Sequence, residues 1–160
     1  MNSIFASSHT KRDFKLTRLA GFLGPPMSEY VIGQIISTER NFPLFWESQT
    51  QQLWQETRYY RTLDKLTLGV LGATGDIGSC ICKAAKNFGM NILGYGRTPK
   101  ETLPGFIDEM FYGSSNLPSF LSKVDYLVSV VPSTPETRGL LNGNILQSCK
   151  PSVVFISVGR

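Results

Sequence analysis

The sequence contains little histidine, cysteine or charge, and it has no long apolar run. Of its 160 residues, one is histidine, three are cysteine and 18% are charged. The longest apolar runs, such as 153–156, fall far short of the roughly 20 residues that cross a membrane. We therefore expect a soluble protein with no membrane partner.

The three cysteines, Cys80, Cys82 and Cys149, form an odd number without the spacing of metal ligands. This usage predicts no metal site and favours small core residues in a reducing compartment, so we expect a cytoplasmic protein. The single histidine, His9, matches no motif and is interpreted as an exposed residue.

The chain is mildly basic, with a net charge of +4 and a pI of about 9.1. Faces that bind nucleic acid usually carry denser positive charge, so we predict no nucleic-acid partner. Residues 1–24 show no clear periodicity and are interpreted as an irregular leader. This leader holds the basic cluster, which consists of Lys11, Arg12, Lys15 and Arg18.

Helical signals fill residues 25–62. Pro25-Pro26 can open a helix, and from Met27 the apolar residues recur at spacings of three and four, as on one face of a helix. Pro43 should kink or end this helix. A second helix is predicted from Leu44 to about Thr57. Its large apolar side chains, interpreted as packing residues, are Phe45, Trp46, Leu53 and Trp54.

From Leu66 onwards strand and helix signals alternate, as in the β-α-β units of a parallel sheet. Right-handed crossovers place the strands in the order 3-2-1-4-5, with a ligand at the carboxyl ends where the order reverses. The predicted fold is thus α/β, an incomplete Rossmann-like doubly wound parallel sheet over 66–160, preceded by the helical segment 25–62. Together these form a partial dinucleotide-binding domain, 25–160. The predicted strands are 66–71, 91–95, 109–111, 126–131 and 152–157, and the helices between them are 76–88, 117–123 and 142–149.

The strongest local signal is the stretch Gly72-Ala73-Thr74-Gly75-Asp76-Ile77-Gly78, which follows a predicted strand and opens a helix. Glycine permits the tight turn and lets the backbone approach a pyrophosphate. The free N–H groups at the start of the helix stabilise its negative charge. This setting predicts a dinucleotide site.

The end of the second predicted strand points to the kind of dinucleotide. An Asp or Glu at this position usually binds the ribose 2′-hydroxyl, but the sequence here is Gly96-Arg97-Thr98-Pro99-Lys100. Arg97, Thr98 and Lys100 can instead hold a 2′-phosphate through charge-assisted hydrogen bonds. The sequence therefore favours NADP(H) over NAD(H), the alternative being a basic surface turn.

Two later stretches resemble the D-isomer-specific 2-hydroxyacid dehydrogenases. Residues 127–141, LVSVVPSTPETRGLL, are similar to a strand and its following loop in that family, and 155–160, FISVGR, to the segment that ends in Ala-Arg-Gly. Residues 27–31 resemble the helix that enters the cofactor domain, and 66–78 its first strand and glycine turn. The end of the second strand, Gly96-Arg97-Thr98, is most similar to glyoxylate/hydroxypyruvate reductases.

The resemblance implies an oxidoreductase that acts on the CH-OH group of 2-hydroxy acids or reduces 2-keto acids such as glyoxylate. It also implies a homodimer, to which the helical segment contributes. Val131 and Pro132 would line the adenine side of the cleft, with Thr137 on the same loop. Arg97 and Thr98 would face the adenosine phosphate. The residues implied to surround the pyrophosphate are Gly72, Gly75, Asp76, Ile77 and Gly78.

At the reacting end, the resemblance implies that Val158 and Gly159 approach the nicotinamide. Arg160 matches the family's catalytic arginine, whose guanidinium would grip the substrate carboxylate and polarise the keto oxygen. The family places a Glu and a His further along the chain, and keto-acid reduction needs a proton donor. We therefore expect this chain to be part of a longer enzyme and inactive alone. A fifth strand left at the sheet edge would also favour association.

The sequence departs from the family in two places, and other functions stay open. The glycine turn is one residue longer than the usual Gly-x-Gly-x-x-Gly, and Ser157 stands where Asn is common. The longer turn also resembles extended short-chain dehydrogenases and their non-catalytic NADP-sensing relatives, although no tyrosine here has the lysine four residues later that their catalysis uses. A further alternative is a non-catalytic dinucleotide-binding or subunit-interaction module that uses the helices of 27–54 as its contact surface.

Overall fold

The computed structural model describes residues 15, 17, 21–56, 59–99 and 101–159. Most of the predicted leader and the predicted catalytic Arg160 lie outside these residues. Within the described residues, three short 3-10 helices span Leu63–Lys65, Ser114–Asn116 and Ile145–Ser148. The α-helices of the described chain are α1 (Gly24–Glu39), α2 (Phe42–Thr50), α3 (Asp76–Asn87) and α4 (Leu117–Lys123). The strands are β1 (Thr67–Leu71), β2 (Asn91–Gly96), β3 (Glu109–Tyr112), β4 (Tyr126–Ser129) and β5 (Val154–Ser157).

The five strands form one parallel sheet in the order β3-β2-β1-β4-β5, which confirms the predicted order and fold class. Helices cover both faces, so the central strands are buried on both sides and carry apolar runs. Leu68, Val70 and Leu71 of β1 are fully buried. The strand order reverses between β1 and β4, so the carboxyl ends of these two strands mark the expected ligand cleft.

The sheet separates two apolar cores. On one face, Val31 and Ile35 of α1 and Ile81 of α3 pack with alternate residues of the strands. On the other face, Phe120 and Leu121 of α4 pack with the remaining strand residues. At the sheet edge, Phe155 of β5 is 46% exposed, in line with the expectation that this strand lies at an edge.

The helical lead-in divides differently from the prediction. Helix α1 ends at Glu39, and Pro43 lies in the first turn of α2 rather than at the end of α1. Helix α2 ends at Thr50, so the predicted helix to Thr57 is too long. The cause is Gln52, whose left-handed φ of 55° allows Leu53 N–H to donate to Ser48 O over 2.8 Å and close the helix end.

The helical piece predicted near 142–149 is also too long, since only the 3-10 helix Ile145–Ser148 forms there. Gly143, with a φ of +65°, precedes this short turn, and Pro151 follows it. Both residues interrupt a regular helix. The other predicted strands and helices of 66–160 agree with the structure to within two residues at each end.

Several aromatic residues near α2 are exposed rather than packed. Trp46 is 64%, Trp54 90% and Tyr59 91% exposed, and the neighbouring Leu53 is 57% exposed. The interpretation of Trp46, Leu53 and Trp54 as packing residues is therefore wrong. Of the cysteines, Cys82 is buried as predicted, whereas Cys80 and Cys149 are only half-buried. None of the described helices is long and apolar enough to cross a membrane.

Candidate dinucleotide-binding site

The chain turns sharply at Gly72, where β1 leads towards α3. Gly72 has a φ of +89°, a conformation that side chains disfavour. Its N–H donates to Tyr95 O over 2.8 Å, which ties the turn to β2, and Gly75 N–H donates to Gly72 O over 3.0 Å. A Cβ on Gly78 would lie 2.2 Å from Gly72 O, so glycine there lets the start of α3 pack directly on the turn.

The first turn of α3 offers backbone donors to a ligand. Helix α3 begins at Asp76 after the extended N-cap residue Gly75, and no side chain of the described residues caps it. Its first N–H groups therefore have no partner within the helix. The Ile77 side chain is partly buried against the core. The group that this residue can offer to a ligand is therefore its backbone N–H. The longer turn thus still forms a cradle with free N–H groups, and these residues fit an anionic pyrophosphate.

The Asp76 side chain has a contact of its own. Its Oδ2 accepts a hydrogen bond from Gly21 N–H over 2.8 Å. This bond joins the first turn of α3 to the segment just before α1. The carboxylate therefore lies at the same helix end as the free N–H groups.

A cleft of about 220 Å³ opens at the carboxyl ends of β4 and β5. Its floor is fixed by Ser129 O, which accepts hydrogen bonds from Val158 N–H and Gly159 N–H, both over 3.1 Å. A Cβ on Gly72 would lie 3.4 Å from Val131 Cγ1, so the glycine turn borders this cleft. The residues that line it are Ser129, Val131, Pro132, Ser133, Thr137, Arg138, Ser157 and Gly159.

Four of the residues singled out in the sequence, Val131, Pro132, Thr137 and Gly159, thus lie together at one cleft. Thr137 holds the loop after β4 in shape. Its hydroxyl donates to Pro132 O and accepts from Thr134 N–H over 2.8 Å. The Thr137 side chain therefore positions the cleft wall through contacts within the loop.

Arg97 and Thr98 follow β2 and are exposed. The pKa of Glu136 in the loop after β4 is lowered, first by a hydrogen bond with the Thr134 side chain and also by the positive charge of Arg97. Arg97 and Glu136 therefore attract one another, which brings the loop after β2 and the loop after β4 into one electrostatic environment. Lys100, named with Arg97 as a phosphate ligand, lies outside the described residues.

Sequence reasoning missed part of the cleft lining. Ser133 and Arg138 line it and lie within the family-like stretch, yet neither was singled out. The available signal was a cation directly after Thr137 in a loop that follows a buried strand. Within the described ranges, no group of three or more His, Cys, Asp or Glu side chains could hold a metal ion.

A parallel sheet with a glycine turn at its switch point and an adjoining cleft defines a dinucleotide-binding α/β domain. Residues 32–160 match the family model described as D-isomer specific 2-hydroxyacid dehydrogenase, NAD binding domain. The chain belongs to this family and has the fold of its NAD-binding domain. This membership confirms the resemblance stated above and decides against the extended short-chain dehydrogenases.

Named relatives agree with this assignment. Glyoxylate/hydroxypyruvate reductase A of Yersinia enterocolitica is 31% identical over 134 residues, which are 84% of this chain and 41% of that protein. A family protein of Aeromonas salmonicida has a TM-score of 0.89 and 37% identity, covering 99% of this chain and 49% of its own. A dehydrogenase of Xanthobacter autotrophicus, solved with NADPH and MES, has a TM-score of 0.81 and 30% identity, and the match covers 98% of this chain and 63% of that chain. The chain thus spans less than half of the Yersinia reductase.

Proposed function

We propose that this chain is the dinucleotide-binding part of an NADPH-dependent enzyme that reduces 2-keto acids, such as glyoxylate or hydroxypyruvate, to 2-hydroxy acids. The observation that carries the proposal is the glycine turn Gly72–Gly78, which borders the cleft at the ends of β4 and β5. The substrate class rests on the similarity to glyoxylate/hydroxypyruvate reductase A.

Within this proposal, each end of the site has its own task. The backbone N–H groups of Asp76 and Ile77 hold the pyrophosphate at the start of α3. Arg97 and Thr98 hold a 2′-phosphate, and Val131 and Pro132 bound the adenine. The residues at the nicotinamide end are Val158 and Gly159.

At the reacting end, a bound reduced nicotinamide supplies the hydride. Arg160 grips the substrate carboxylate with a planar, permanently charged guanidinium and polarises the keto oxygen. Of residues 157–159, which precede it in the sequence, Ser157 and Gly159 line the cleft. Reduction also needs a proton donor, and we assign that donor to a part of the whole enzyme outside this chain.

The preference for NADPH rests on the absence of a carboxylate in the sequence 96–100 and on the exposed Arg97 at the end of β2. It is supported by the Xanthobacter relative, which was solved with NADPH. The test is a fluorescence titration of the chain with NADPH and NADH, with Arg97→Ala in parallel. Lys65→Ala is the control, because it removes the same charge at the amino end of β1, opposite the cleft.

Arg97→Ala should lower the affinity for NADPH about tenfold or more, since a hydrogen bond to a charged group contributes roughly 1.5–3 kcal/mol. Its affinity for NADH should stay within about twofold of the parent value, and Lys65→Ala should leave both affinities unchanged. An equal loss of affinity for both dinucleotides would contradict the proposed preference for NADPH. If the parent chain bound neither dinucleotide, the proposal itself would be rejected.

We also propose that the chain forms a homodimer through the exposed aromatic residues near α2. Trp46, Trp54 and Tyr59 expose most of their surface, and large exposed aromatic groups mark protein interfaces. Sedimentation velocity should show a dimer that Trp46→Lys or Trp54→Lys dissociates, whereas Phe88→Lys at the end of α3 should not. A strict monomer at high concentration contradicts this proposal, and a dimer that binds no dinucleotide favours a subunit-interaction module.

The cytoplasm is the proposed location, supported by three cysteines that are free in the structure. Reducing compartments keep thiols unpaired. Fractionation of cells that express the tagged chain tests this, and recovery from an oxidising compartment would overturn it.

A further inference from the structure

Asp76 places a negative charge at the helix end that must bind a negative ligand. It occupies the first turn of α3 and is exposed. An acid at this position stabilises a helix, because it faces the positive end of the helix dipole. A bound pyrophosphate depends on the same positive end. The two anions therefore compete for one source of positive potential.

The Asp76 carboxylate is held in this position by a specific contact. Oδ2 accepts from Gly21 N–H over 2.8 Å, across 55 residues of sequence. Gly21 has a φ of +89° and open space around it, so the backbone before α1 bends in a conformation suited to glycine. The segment before α1 is thus tied to the turn that faces the ligand.

We propose that Asp76 sets the strength of dinucleotide binding, with its charge lowering the affinity of the glycine turn for the pyrophosphate of NADPH and NADH alike. This inference rests on the proposed function of the turn. The charge of Asp76 then has opposite effects on two properties, because it stabilises α3 and weakens the binding of the dinucleotide. Two roles in the site are also separate, because Arg97 distinguishes the two dinucleotides and Asp76 does not.

Two substitutions separate the charge from the hydrogen bond. Asp76→Asn removes the charge and keeps an oxygen that accepts from Gly21 N–H, whereas Asp76→Ala removes both. Glu47→Gln is the control, because it removes one negative charge on α2, outside the turn and the cleft. Each full chain is titrated with NADPH and NADH at low and high salt, and its thermal unfolding is recorded without ligand.

Asp76→Asn should raise the affinity for NADPH and for NADH by a similar factor, on the order of threefold to tenfold at low salt. The gain should be smaller at high salt, because ions screen the repulsion between the carboxylate and the pyrophosphate. Asp76→Asn should also unfold at a lower temperature than the parent, since α3 loses its favourable charge. Asp76→Ala should also raise the affinity for both dinucleotides, and it should unfold at a still lower temperature because it loses the hydrogen bond as well. Glu47→Gln should match the parent in both affinities.

Unchanged affinities in Asp76→Asn, with the parent still binding, would overturn this inference and leave the proposed function standing. Tightening of NADPH alone would also overturn it, because the pyrophosphate is common to both ligands. If neither the parent nor Asp76→Asn bound either dinucleotide, the proposed function would fail and this inference with it.

Discussion

The Tyr126 hydroxyl donates to the Glu39 carboxylate over 2.7 Å and joins the end of α1 to the start of β4, 87 residues later. Arg61 completes the contact, with Nε donating to Glu39 Oε2 over 3.1 Å and Nη2 to Oε1 over 2.5 Å. Tyr126 is fully buried, and Glu39 is 7% exposed. This cluster lies at the amino ends of the strands, opposite the candidate site, and fixes the helical lead-in to the sheet.

Tyr126→Phe should lower the free energy of unfolding by about 1.5–3 kcal/mol, because it removes a hydrogen bond to a buried charged group. Urea denaturation measures the loss. Tyr30→Phe is the matched control, since Tyr30 is 52% exposed on α1 and its change should stay within about 0.5 kcal/mol. Equal effects of the two substitutions would show that the hydroxyl contact contributes nothing.

Glu39 should make stability depend on pH at the acid end. Burial opposes its ionisation, but hydrogen bonds from Arg61 and Tyr126 and the charge of Arg61 outweigh burial and lower the pKa of Glu39 below the ordinary value of 4.5. A lowered pKa adds stability above the ordinary value, and this stability is lost as the pH falls through the folded-state pKa. Unfolding in urea from pH 7 to pH 3 should show the loss below about pH 4.5.

Glu39→Gln is the control for this pH dependence. It should be less stable than the parent at pH 7, and its unfolding free energy should fall less between pH 5 and pH 3. Parallel pH profiles for the two chains would show that other carboxylates cause the acid loss.

Two glycine substitutions should change stability in opposite directions. Gly78→Ala should cost about 1–3 kcal/mol or more, because its Cβ would lie 2.2 Å from Gly72 O. Gly33→Ala should raise stability by about 0.5–1 kcal/mol, since it lies within α1 with nothing within 4 Å of a Cβ. Chemical denaturation of both variants tests the pair, and a neutral Gly78→Ala would contradict the close packing of α3 on the turn.

The three thiols should differ in reactivity. Cys82 is buried, and burial raises the pKa of its thiol to about 12, so it stays protonated and shielded at neutral pH. Cys80 and Cys149 are half-buried and should react with a disulfide reagent in the native protein. Cys82 should react only after unfolding, and a third fast-reacting thiol in the native chain would show that the core around α3 is open.

Local sequence patterns predicted most of the sheet and little of the lead-in. The strands of 66–157 could be predicted because burial on both faces requires short apolar runs between turn residues. The end of α2 could not, since it depends on Gln52 adopting a left-handed conformation that its residue type does not favour. The exposure of Trp46 and Trp54 was missed because apolar character alone does not show whether a neighbour covers it.

The site divides in the same way. The glycine turn and the loop after β4 carry motifs readable in the sequence, since tight turns and helix starts need particular residues at fixed spacings. The hydrogen bond between Asp76 and Gly21 spans 55 residues, and no local pattern reports it. Arg138 also lines the cleft, and no motif in the sequence marks it as a lining residue.

The sequence by itself determined the strand order and the fold class, because these follow from periodicity and from turn residues within short stretches. It indicated the family only through the resemblance of stretches such as 127–141 and 155–160. Tertiary structure alone decided which aromatic residues stay exposed, where Asp76 is held, and how Glu39, Arg61 and Tyr126 meet. These depend on contacts between distant segments, whose free energies are set by burial and distance in the folded chain.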